Sequence, residues 1–305
     1  MDKSWSYLNK VGRLLLAGSV IGALLAACGG NEDNSGGNAA ATSSATISPF
    51  KGPFSSGAVT LKDANGKPVA LISGGTVNAN GVATVSYSAN VVYPLVVEVT
   101  GTYYNEVTGT TETSTSTLRG IITSASTVAA NSPVPVTMVT ETAVADLQNR
   151  LGTFSSSSPI TTTSAAAALN TAGTVLGIPA STVPVFDPVT HQTSDANTLR
   201  LAALAVVANN QAGATLVDKV KVLVGQLVTL GANPATNVIS QTAYDNALAT
   251  VTSGPSSMLA AGATAPTPAT ISTTGYDALY ATYIPTSVAM VWDQAQALWD
   301  SVDWQ

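Results

Sequence analysis

Cysteine, histidine and charge are all scarce in this chain of 305 residues. There is one cysteine, Cys28, so no disulfide and no thiolate metal cluster can hold the protein together. There is one histidine, His191, and no Gly-x-Ser-x-Gly elbow, so a Ser-His-Asp triad has one available base and no recognisable nucleophile turn. Charged residues are 9% of the chain and no basic patch occurs, which makes nucleic acid and anionic lipid headgroups unsuited as partners. Aromatic residues are only 6%. The apolar stretch Leu14–Ala27 is 14 residues long, short of the ~20 that span a bilayer as a helix.

What is present begins at the N-terminus. Lys3, Lys10 and Arg13 precede the apolar stretch, which ends on the small residues Ala26 and Ala27 and runs into Gly29-Gly30-Asn31-Glu32. Basic, apolar and small-residue parts in this order make residues 1–27 a secretory leader. Leu25-Ala26-Ala27-Cys28 resembles the lipobox of bacterial lipoproteins. That resemblance implies cleavage before Cys28, acylation of Cys28 and attachment to the membrane through its acyl chains. Position 29 is Gly rather than the aspartate that retains such proteins in the inner membrane of enteric-type bacteria, so the resemblance points to the outer membrane.

Loss of Lys3, Lys10, Arg13 and Asp2 with the leader leaves 278 residues with 8 basic and 16 acidic side chains, a net charge of −8. Thr, Ser, Asn and Ala supply the polar surface instead. Residues 28–49 contain almost no large apolar side chain and are expected to form a flexible tether. From Phe50 to Met138 apolar residues recur at period two, as in Val59/Leu61, Ala83/Val85/Tyr87 and Leu95/Val97/Val99. Asn65-Gly66 and Asn80-Gly81 are hairpin signals. Thr108–Thr117 is expected to be a loop or an edge strand, and Pro135 places Val134–Met138 at a sheet edge. These features predict an antiparallel β-sandwich of about seven strands over residues 50–138.

Gly52-Pro53-Phe54-Ser55-Ser56-Gly57-Ala58-Val59-Thr60-Leu61, Asp63–Lys67 and Asn78–Val85 resemble, in this order, the carboxypeptidase-regulatory-like, transthyretin-like sandwich. Leu95–Glu106 and Leu118-Arg119-Gly120 are similar to proteobacterial lipoproteins in which such a sandwich precedes an α-helical region. The resemblance implies an accessory module and carries over no catalytic residue.

After residue 139 the period becomes 3.6. Helices are predicted over Thr140–Arg150, Ser164–Leu176, Asp195–Gln211, Thr215–Leu230, Ala243–Val251 and Thr286–Trp304, with Pro255–Thr270 as a loop. Gly177 and Gly231 are stop signals, and Thr215 with Asp218 reads as a cap. The expected class is therefore α+β in two domains, a sandwich followed by a helical bundle over residues 139–305.

Candidate sites are few. Asp187 and Asp195 flank His191, but the segment reads as a polar interhelical loop. Glu98, Glu106, Glu112, Asp63, Asp187, Asp195 and Asp218 show no paired spacing of the kind glycosidases use. Asp63-Ala64-Asn65-Gly66 offers two oxygen ligands for calcium and then a cation, Lys67. Tyr93, Tyr103 and Tyr104 are the candidate ligand contacts, since exposed tyrosines stack on sugar rings. Trp292 and Trp299, seven apart, suit a core-facing helix, and Trp304 an exposed position. No metal, cofactor or catalytic set is expected. The chain reads as a non-enzymatic, lipid-anchored envelope protein with a protein or glycan partner. The alternatives are a surface-polymer-binding protein, and an enzyme of unfamiliar type with a site between the domains.

Overall fold

The structure, a computed structural model, describes residues 41–129, 132–229, 238–254 and 256–284. The leader, Cys28, Gly231, the predicted Thr286–Trp304 helix and its tryptophans lie outside the described residues.

Strand β1 (Thr42–Pro49) lies within the segment expected to be a tether. Its small polar residues hide a period-two pattern, with Ala45 and Ile47 buried and Thr46 half-buried between them. It pairs antiparallel with β6 (Ala83–Ser88) in the register Ala45↔Val85 and Ile47↔Ala83. The tether expected to reach residue 49 is thus replaced by strand from Thr42 onward, because the partner's Val85 and Tyr87 supply the apolar surface that β1 lacks.

Five strands lie between β1 and β6 or just beyond: β2 (Phe54–Lys62), β3 (Pro68–Val69), β4 (Leu71–Gly74), β5 (Thr76–Val77) and, after β6, β7 (Leu95–Asn105). Then come β8 (Thr110–Ile122), α1 (Ala125–Ala129) and β9 (Val134–Val136). One sheet has the order β4-β6-β1-β9, the other β3-β2-β7-β8 with β5 on β2. Pairing is antiparallel except between β1 and β9, which run parallel, a departure from the all-antiparallel expectation. Pro135 sits on the edge strand, as its missing N–H requires. Ile47, Val85 and Val136 of one sheet share a core with Leu61, Val97 and Leu118 of the other.

The two Asn-Gly signals have different outcomes. At Asn65-Gly66 the chain turns back from β2 to β3, with Leu61 opposite Val69. The Asp63 carboxylate accepts from the N–H groups of Asn65 and Lys67, both at 2.9 Å. At Asn80-Gly81 the turn closes through Asn78 N–H to Val82 carbonyl at 2.8 Å, yet it carries the chain from one sheet to the other rather than making a hairpin.

Helices follow: α2 (Met138–Leu151), α3 (Thr162–Leu176), α4 (Ala196–Ala208), α5 (Leu216–Thr229), α6 (Gln241–Ser253) and α7 (Tyr276–Tyr283). Asp195 caps α4 by accepting from Thr198 N–H at 2.7 Å, and Gly177 ends α3 in the left-handed conformation, φ 65°. Leu216, Val220, Leu223, Val224 and Leu227 make the buried face of α5.

The described strands and helices belong to one compact unit of class α+β. Val96 and its cross-strand partner Ile121 point away from the inter-sheet core and join the helical core with Val144, Leu147 and Leu223. The run Leu95-Val96-Val97 is therefore buried on both faces, where period-two alternation predicted one. Burial of both faces is what lays the helices directly on the β7–β8 surface.

Candidate functional site

Helix α5 is held to the sheet through its N-terminus. A helix start leaves N–H groups without intrahelical acceptors. Here the sheet supplies them: Leu216 N–H donates to Glu112 at 3.1 Å and Val217 N–H to the Tyr103 hydroxyl at 3.3 Å. Thr215 and Asp218 complete the cap reciprocally, and Ser116 donates to the Asp218 carboxylate from β8. Tyr103 donates to Glu112 at 2.8 Å and is fully buried. Burial raises its phenol, with the Glu112 hydrogen bond adding to the effect. Burial pushes the Glu112 carboxyl up, but bonds from Asn105, Leu216 N–H and Tyr103 outweigh it and hold the group below its usual range. Tyr103 is thus a structural strut, which removes it from the candidate ligand contacts. Tyr103→Phe should cost about 1–3 kcal/mol by orphaning the Val217 N–H, measurable as a lower denaturation midpoint.

The other two tyrosines are half-buried. Tyr93 shares a hydrogen bond with the Tyr87 hydroxyl at 3.1 Å. The Tyr104 ring stacks on His191, centroids 4.1 Å apart and planes at 24°. His191 itself has φ 59°, and among the described residues it is the one non-glycine residue with positive φ. Its partner in sequence, Asp187, turns its carboxylate onto the Val189 and Thr190 N–H groups, each at 2.8 Å. Those bonds hold the Asp187 carboxyl below its ordinary value, and burial lowers the His191 imidazole. The imidazole lies flat on a tyrosine, and the aspartate builds the turn that carries it. The remaining sequence candidates are likewise engaged: Glu98 with Lys62 at 2.8 Å, Asp195 and Asp218 as helix caps. No group of three or more metal-ligating side chains occurs among the described residues.

Two features escaped sequence reasoning. The first is a cavity of about 910 Å³ between the β8–β9 edge, α3 and the segment 177–183. Leu169, Ile178, Pro179 and Val183 line it beside the small residues Ala166 and Gly173, with Asn170, Thr174 and Ser181 as polar points. Among the described residues lining it, the one ionisable side chain is Tyr283. Ala166, Asn170, Gly173 and Gly177 recur at helical spacing, the one signal of it in the sequence. Such a surface is fitted to an uncharged, apolar occupant.

The second is a buried lysine–glutamate pair. Lys51 follows β1 and Glu106 follows β7; their side chains are 2% and 0% exposed, with Nζ 3.5 Å from Oε1. Phe50 beside it packs on Phe186 at 5.8 Å, so the segment carrying His191 closes over this end of the sheets.

Family models, curated proteins and solved structures give no match to this chain.

Proposed function

We propose that the protein is a non-enzymatic, lipid-anchored component of a bacterial cell envelope, displaying a binding or structural module from the membrane. The observation that carries the reading is Leu25-Ala26-Ala27-Cys28 at the end of a basic-then-apolar leader. Gly29 favours the outer membrane. The strand region is read as a transthyretin-like sandwich, with the helices as a second domain built upon it.

The cavity at α3 supports a binding role over a catalytic one. A general acid or base works best with a pKa near the operating pH. Among the described residues the lining has one ionisable group, the Tyr283 phenol, and the candidate carboxylates elsewhere serve caps, turns and ion pairs. A short apolar cavity with a few neutral polar groups recognises an apolar ligand or a partner's side chains.

Cys28→Ala should abolish incorporation of labelled palmitate and leave the leader uncleaved by the lipoprotein peptidase. Undiminished labelling of the variant refutes the anchor. A hydrolase or transferase activity in the purified protein, lost on changing one polar residue, refutes the non-enzymatic part.

A further inference from the structure

Lys51 and Glu106 are unlike the other charged pairs of the molecule. In a buried ion pair that is well made, the remaining protons and lone pairs are hydrogen-bonded, because desolvation otherwise exceeds the attraction. The Arg119–Glu141 pair follows that rule, with Glu141 accepting from the Arg119 backbone N–H at 2.8 Å and from Nε at 3.0 Å. The Lys51–Glu106 pair does not. Among the described residues four buried side-chain polar atoms lack a hydrogen-bond partner, and three of them are Lys51 Nζ, Glu106 Oε1 and Glu106 Oε2. Nζ and Oε1 are 3.5 Å apart, at the outer limit of a hydrogen bond, and both side chains are shut off from the surface.

Burial pushes the Lys51 ammonium down toward the free amine, against the attraction of Glu106. Burial pushes the Glu106 carboxyl up toward the neutral acid, against the attraction of Lys51. A neutral amine is a nucleophile and a neutral carboxylic acid is its acyl acceptor, whereas the ion pair is inert. The backbone holds them at this separation. Gly52 turns with φ 78°, and a Cβ there would meet Glu106 Oε2 at 2.5 Å, so the carboxyl lies directly against the Lys51–Gly52 turn. Nζ lies 3.5 Å from Oε1, one of the two oxygens on the carbon it would attack, and intramolecular reactions of well-aligned groups reach effective molarities of roughly 10⁵–10⁸ M.

We propose that Lys51 and Glu106 condense into an intramolecular amide that covalently joins the end of β1 to the end of β7. The Nζ lone pair attacks the Glu106 Cδ. The N–C bond forms, the bond from Cδ to its hydroxyl oxygen breaks, and a proton shed by the amine leaves with that hydroxyl as water. No oxidant, reductant or cofactor is needed. The bond expels one of the three unpartnered atoms as water and leaves the other two in one neutral amide, so that no ionisable group stays buried there.

The placement has a mechanical consequence. Load from a membrane attachment upstream of Thr42 enters the fold through β1, which is held by six paired positions on β6 and three on β9. A covalent link immediately after β1 transmits that load to β7, at the middle of the other sheet.

Peptide mapping of the purified full chain decides the matter. After denaturation and digestion, the peptides carrying Lys51 and Glu106 should appear as one branched species whose mass is the sum of the two less one water. Trypsin should leave the Lys51–Gly52 bond uncut. Recovery of the two peptides separately, with trypsin cutting after Lys51, overturns the proposal. Lys51→Met and Glu106→Leu should each lose the branched species, and its persistence in either variant also overturns the assignment. The wild-type mass carries the test if either variant fails to fold.

Discussion

Glu141→Ala should destabilise the protein by about 3–5 kcal/mol, the range for removing one partner of a buried ion pair. Arg119 and Glu141 are 8% and 1% exposed. Glu141 is the acceptor for the Arg119 backbone N–H as well as for its guanidinium, and Thr140 donates from α2 to the Arg119 carbonyl at 2.8 Å. Without the carboxylate, the guanidinium keeps Gln148 as its acceptor, at 2.5 Å, and remains a charge without a counterion beneath α2. Glu141→Gln retains the shape and one acceptor, and should cost less. Arg119→Met combined with Glu141→Leu should recover most of the loss, because no buried charge is then left unpaired. Urea denaturation monitored by circular dichroism measures all three. A Glu141→Ala midpoint equal to wild type would show that the contact between α2 and β8 rests on apolar packing alone.

The parts of the fold legible in the sequence are those decided over a few residues. Asp195, Thr215 with Asp218, and Gly177 mark helix ends because a cap is a bond between neighbours in the chain. Asn65-Gly66 marks a hairpin for the same reason. What was missed depends on partners far away. Strand β1 has one large apolar residue on its buried face, Ile47, and becomes a strand because β6 completes its surface. Val96 looks like a solvent-side residue until Ile121 and the helices cover it. Asn80-Gly81 has hairpin chemistry, yet β5 and β6 find their partners in different sheets.

The same distinction governs the sites. Tyr103 and Tyr104 are adjacent in sequence, but the strand pleat sends one into the core against α5 and leaves the other at the surface beneath His191. Lys51 stands in the short Phe50-Lys51-Gly52-Pro53 connection between strands, where nothing nearby in the chain offers it a counterion. Its burial comes from the close of the 185–192 segment over Phe50 and from Glu106, 55 positions along the chain. Composition shows that charges are few. Only the fold shows that so large a share of them point inward, where each must find a counterion, a cap or, for Lys51, a chemical partner.

Gly52→Ala tests the turn that creates this pairing. Gly52 adopts φ 78°, and a Cβ would fall 1.7 Å from the Tyr104 carbonyl oxygen, an atom of the neighbouring strand that cannot swing aside. The left-handed conformation costs an alanine about 1–2 kcal/mol, and forcing backbone apart in a packed region costs about 1–3 kcal/mol more. The expected loss is therefore about 2–5 kcal/mol. Gly262 supplies the control: it has the same φ, 78°, with nothing within 4 Å of its Cβ position. Gly262→Ala should show the conformational cost alone, about 1–2 kcal/mol, and the difference between the two variants measures the clash with β7. Because the added methyl would also displace the Glu106 carboxyl from Lys51, Gly52→Ala should yield less of the branched peptide than Gly262→Ala. Equal stability losses in the two variants would mean that the β1–β2 turn is free to move away from β7, and the enforced proximity of amine and acid would lose its basis.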